Sequence, residues 1–250
     1  MNKEIASATN PRFKIWRSLL ESRGIKRHGL AIAAGSKITG EVAVLLPESV
    51  VTVIVSDRID YEGQPPGKAN IVSLSRDLFR TLDVSGTSSP LFVVQTPDIP
   101  AFNVEAVDAP LVLAIPFQDP TNAGAAIRSA AAFGVRDILL LAEAANPFHP
   151  KGLRAAGPAA FLVRYYTGPS IKDVGKIPMP CVALSRGGTN LQDAVLPERC
   201  MLLPGMEGQG FPPGFQADMM VSIPMSSDVE SLNAAVAVSV ALFVFTGGRD

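Results

Sequence analysis

Short apolar runs alternate with helix-patterned stretches along almost the whole chain, and that alternation restricts it to an α/β architecture. In the first part the runs are residues 30–33, 50–55, 71–74 and 91–94. Residues 37–45 and 76–82 read as helices between them. A helix precedes the first run: Asn10 suits an N-cap and Pro11 a first helical position, Phe13, Trp16, Leu19 and Leu20 follow at helical spacing, and Gly24 is the expected stop. Residues 96–110 carry Pro97, Pro100 and Pro110 without periodicity, so the boundary is placed there. This gives a smaller α/β domain over 1–96, a linker over 97–109 and a second domain over 110–250.

In the second domain the alternation resumes. Runs at 111–115, 138–141, 161–166, 181–184, 201–203 and 219–223 read as strands. Residues 123–133 form an alanine-rich helix closed by Gly134, and residues 230–245 a last helix almost without charge. A helix apolar on all sides is a buried one, which here suggests a second subunit as its cover.

Composition narrows the class. The 250 residues are 47% hydrophobic, which excludes bulk disorder, and 18% charged, which leaves much of the surface neutral or covered. Cys181 and Cys200 make neither a disulfide framework nor a zinc pattern, and His28 and His149 have no ligand spacing, so no metal is expected. The first fifteen residues are polar and basic rather than a secretory leader, and the longest apolar stretch, residues 234–245, falls short of the roughly 20 residues of a membrane span. A soluble, reduced, cytoplasmic protein without a membrane partner is expected. Charge is unevenly spread: residues 1–37 hold eight Lys or Arg against Glu4 and Glu21, a net of +6, while the whole chain is at −1. A basic end of this kind suits contact with a polyanion or a solvated lysine-rich helix face equally.

Three turns after predicted strands of the second domain carry the chemistry, because open α/β sheets bind ligands at the carboxyl ends of their strands. The first, residues 118–128, holds Asp119 or Asn122 as a helix cap and Arg128 six residues beyond Asn122. In the second, residues 202–210, Gly205, Gly208 and Gly210 surround Glu207 in an order that is neither a dinucleotide nor a P-loop pattern. The third, residues 223–233, offers Ser227, Asp228 and Ser231 as caps and sets Asn233 in an apolar helix, where its amide needs partners.

In type, order and spacing, Asp119-Pro120-x-Asn122-x-Gly124-x-x-x-Arg128, Gly205-x-Glu207-Gly208-x-Gly210, Ile223-Pro224-Met225 and Ser231-Leu232-Asn233 resemble the motifs of the SpoU/TrmH branch of the SPOUT RNA methyltransferases. Residues 146–155 are similar to that family's loop and helix before mid-domain, and residues 5–41 to the N-terminal substrate-binding domain of its ribosomal-RNA members. The resemblance spans about residues 108–246. It implies a parallel sheet whose C-terminal part is threaded as a trefoil knot, S-adenosylmethionine as cofactor, and a homodimer with the site near its interface. By position, Gly205, Ile223, Leu232 and Met225 would hold the cofactor.

The implied reaction is methyl transfer to a ribose 2′-hydroxyl of RNA, ribosomal rather than transfer RNA given the N-terminal domain. A non-catalytic RNA-binding or assembly protein keeping the fold is the alternative. Arg128 would clamp the phosphate beside the target ribose, since a guanidinium does not normally give up its proton. Asn122 would orient Arg128 or the ribose, Glu207 would anchor loop amides or accept a proton, and Ser231 and Asn233 would complete the polar wall. Thr121, Pro204, Ala156 and the Ala234-Ala235 pair depart from the family pattern.

Overall fold

The computed structural model describes residues 4–247. In chain order its elements are α1 (Pro11–Ser18), α2 (Ser22–His28), β1 (Leu30–Ala34), α3 (Ser36–Leu45), β2 (Val50–Ser56), β3 (Asn70–Leu74), α4 (Arg76–Leu82) and β4 (Leu91–Gln95). Then follow β5 (Leu111–Ile115), α5 (Pro120–Ala132), β6 (Asp137–Leu140), α6 (Pro150–Ala156), β7 (Arg164–Thr167), β8 (Cys181–Asn190), β9 (Cys200–Pro204), β10 (Met219–Ser222) and α7 (Ala234–Thr246). The chain divides into two compact units, one of residues 1–98 with 146–161, the other of residues 99–145 with 162–250.

The first unit holds a four-stranded sheet in the order β1-β4-β2-β3, antiparallel except for the β2–β3 pair. Its strands are buried runs of Val, Ile, Leu and Ala, and Phe13, Trp16, Leu19, Ile25 and Phe92 fill the core against them. Asn10 caps α1 by accepting from the Arg12 amide at 2.9 Å. The expected single helix is two. Chain reversal after Ser18 starts α2, so Gly24 is buried inside that helix, and Gly29, in the left-handed region at φ 60°, ends it.

Residues 146–161 also part from expectation. Sequence order puts them in the second domain, yet they pack with the first unit. Phe148, Leu153, Ala156 and Ala160 are fully buried apolar groups. They find their cover because α6 lies on β1 and the 3-10 turn Gly157–Phe161 on α3. His149 caps α6 by accepting from the Lys151 amide at 3.3 Å.

The second unit is built on a six-stranded sheet, parallel throughout, in the order β10-β8-β9-β5-β6-β7. Strands buried on both faces read as unbroken apolar runs, as β5 and β9 do. Asp137 opens β6 as a buried carboxylate, satisfied by Arg164 at 2.8 and 2.6 Å and by the Tyr166 hydroxyl at 3.0 Å, which ties β6 to β7. Cys181 and Cys200 are free and buried, and burial pushes their thiols up to about 12 and about 11. Helix α5 turns a face of Ala123, Gly124, Ala126, Ile127 and Ala130 inward. It packs on α7 through a Ser129–Ser239 hydroxyl contact of 2.7 Å and an edge-to-face Phe133–Phe243 pair. Helix α7 begins four residues later than expected, and its outer side leaves Val236, Val240 and Phe243 exposed. Among the described residues, no helix is long and apolar enough to cross a membrane.

Candidate functional site

Each site segment follows directly from the carboxyl end of a parallel strand. After β5, Asp119 accepts from the Thr121 amide at 2.7 Å and Pro120 takes the first helical position, so α5 starts there with Asn122 on its first turn. After β9, the backbones of Met206 and Gly210 exchange two hydrogen bonds of 3.0 Å, closing a tight loop with Glu207 near its tip. Glycines favour this closure. Gly208 and Gly210 have φ of 74° and 68°, and a Cβ on Gly205 would stand 3.0 Å from the Gly210 Cα. After β10, Asn233 ends the loop as the N-cap of α7, its Oδ1 accepting from the amides of Ala235 and Val236 at 2.9 and 3.2 Å.

A chain of hydrogen bonds joins the three segments. The Glu207 carboxylate accepts from the Gln118 amide at 3.1 Å, the Asp119 amide at 3.3 Å and Asn122 Nδ2 at 3.3 Å. Asn122 Oδ1 accepts in turn from Asn233 Nδ2 at 3.0 Å. Asn233 is therefore not an amide stranded in an apolar helix. It stands at the helix start with both ends of its side chain engaged, and the expected caps Ser227, Asp228 and Ser231 lie in the loop before it.

A cleft of about 580 Å³ opens along these segments, within the range of small-molecule sites. Gly205, Ile223, Met225 and Leu232 line it, and so do Asn122, Glu207, Ser231 and Asn233. Arg128 is not part of this lining. It is exposed on α5 and makes no hydrogen bond or ion pair with a described residue. Six residues of α-helix carry it about 240° around the axis from Asn122, onto another face, so the expected turn back toward Asn122 is absent. Sequence reasoning missed Arg186 and Glu230, which also line the cleft. The pair Gly187-Gly188 at the end of an apolar strand was the available signal for Arg186, because glycine inside a strand often marks a bulge.

A wholly parallel sheet with a glycine-turned cleft at its carboxyl edge defines an α/β protein of the class whose ligand sites lie across strand ends. Residues 110–243 match the model of the SpoU rRNA Methylase family, and the chain belongs to that family. A relative in Syntrophobacter fumaroxidans, named ribosomal RNA small subunit methyltransferase G 2, is 38% identical over 98% of this chain, but the chain spans only 49% of that protein. The 23S rRNA (guanosine(2553)-2′-O)-methyltransferase RlmP of Bacillus subtilis is 27% identical over 98% of this chain and 100% of its own length. Among solved structures, the SpoU methyltransferase AviRb of Streptomyces viridochromogenes, in complex with AdoMet, superposes with a TM-score of 0.77 at 24% identity, covering 96% of this chain and 98% of that one. That likeness bears on the fold.

Proposed function

We propose that the protein transfers a methyl group from S-adenosylmethionine to a ribose 2′-hydroxyl of ribosomal RNA. The observation that carries this reading is the bond chain Glu207–Asn122–Asn233, which draws three motif segments around one cleft. The residues present suit the cofactor. Ile223, Met225 and Leu232 offer apolar walls to the nucleoside, while loop backbone at 205–210 offers polar groups without a phosphate-binding pattern. Family membership and the name of the full-length relative RlmP support the RNA ribose as acceptor.

When bound, the cofactor would supply a methyl made electrophilic by the sulfonium, with S-adenosylhomocysteine as the leaving group and the hydroxyl proton passing to solvent water. The chain's own residues shape what meets it. Glu207 already holds three donors, so its role is to tether the loop after β9 to the start of α5. Asn122 is engaged at both ends and fixes the wall. The second hydrogen of Asn233 Nδ2 and the Ser231 hydroxyl remain to orient a ribose oxygen. Arg128 grips the neighbouring RNA phosphate in a bidentate contact. Its place outside the cleft of its own subunit fits a homodimer, in which the exposed side of α7 is covered and the guanidinium of one copy serves the acceptor of the other. The loops after β9 and β10 correspond to the family's trefoil knot. The basic residues of the N-terminal unit, Arg12, Lys14, Arg17, Arg23, Lys26 and Arg27 among them, hold the RNA electrostatically. The reaction belongs to the cytoplasm.

Incubating the full chain with labelled S-adenosylmethionine and unmodified ribosomal RNA tests this reading. The wild type is expected to label the RNA. Arg128→Ala is expected to lose activity about 100-fold or more while binding the cofactor unchanged. A wild type that binds RNA but neither cofactor nor label would make the protein a non-catalytic binding module.

A further inference from the structure

Strand β8 leaves its ladder with β10 for five residues. It pairs with β10 at Val182 and Ala183, and then only at Thr189 and Asn190, while their partners Met220 and Val221 are consecutive. On its other side the ladder with β9 ends at Leu184. The bulge is pinned where it rejoins. Ser222 Oγ donates to the Gly188 carbonyl at 2.9 Å, and a Cβ on Gly188 would stand 2.4 Å from the Met220 carbonyl carbon. Bulges re-aim side chains beside active sites, and this one carries Arg186 to the cleft.

Arg186 is the one cationic side chain lining the cleft, and it forms no hydrogen bond or ion pair with a described residue. Of the two carboxylates in the lining, Glu207 is engaged, whereas Glu230 has no such partner. The cleft thus offers one open guanidinium and one open carboxylate. Strand order sets Arg186 two strands from β5, about 10 Å across the sheet from the Asn122 wall. An unpaired charge of each sign in one cleft complements a zwitterion, and of the cofactor's parts only the amino-acid end carries both a carboxylate and an ammonium.

Resting on the cofactor proposed above, we propose that Arg186 and Glu230 form the subsite for the amino-acid end of S-adenosylmethionine. The guanidinium takes the α-carboxylate and Glu230 faces the α-ammonium. Titration calorimetry on the full chain tests this with two probes. S-adenosylhomocysteine keeps the amino-acid end, and 5′-methylthioadenosine lacks it. Arg186→Ala is expected to weaken S-adenosylhomocysteine about tenfold or more, with Arg186→Lys and Glu230→Gln intermediate, and to leave 5′-methylthioadenosine within about twofold. Equal loss of both probes would mean a structural role and overturn the subsite. Unchanged S-adenosylhomocysteine affinity with a raised KM for RNA would assign Arg186 to the nucleic acid, also overturning it while leaving the cofactor in place. A wild type that binds neither probe would overturn subsite and cofactor together.

Discussion

Glu207 shows how one side chain can set the geometry of a site. Its two oxygens accept from two backbone amides and the Asn122 amide, and these acceptances occupy most of a carboxylate's capacity. A group so engaged is a good tether. Glu207→Ala is therefore expected to lower cofactor affinity and methyl transfer together, by about tenfold or more, since freed loop amides no longer hold the cleft wall. Parallel calorimetry and kinetics check this. Intact affinity with a collapsed kcat would instead make Glu207 the base. Arg128 is the contrasting residue. Spacing leaves it open between a surface arginine and a group acting near Asn122, and in the folded chain it lies outside the cleft lining, because six helical residues turn a side chain to another face.

At the scale of elements, local signals were readable and tertiary ones were not. The run Leu111–Ile115 is a strand in sequence and structure alike, because a doubly buried parallel strand is apolar throughout. The start of the last helix was misplaced, because Ser227, Asp228, Ser231 and Asn233 all make good caps and packing against Asn122 decides among them. The bulge of β8 is a matter of register with β10, which no single strand encodes. Residues 146–161 join the first unit for the same reason: burial of Phe148 and Leu153 is settled by which core has room. Two outcomes belong to α7. Asn233→Ala removes the acceptor of two amides and the link to Asn122, and should cost about 1–2 kcal/mol in chemical denaturation. Phe243 is 56% exposed beside Val236 and Val240, so Phe243→Asp should turn the proposed homodimer into monomers in sedimentation velocity. A wild type that sediments as a monomer would remove the dimer from the account.

At the scale of the molecule, two units divide the work. One concentrates positive charge in its first helices, and the other places three strand-end turns around a cleft. Both α/β layouts were legible from alternation alone, and the cleft from the order of the motifs, although the segment at 146–161 crosses the boundary the sequence suggested. In the proposed activity a methyl leaves that cleft for a sugar oxygen. Nucleoside mass spectrometry measures this directly, on ribosomal RNA treated with the protein and S-adenosylmethionine carrying a deuterated methyl. The predicted result is the deuterated mass on the ribose of a single nucleoside, absent with Arg128→Ala. Deuterium on a base, or none anywhere with cofactor bound and RNA engaged, would contradict it.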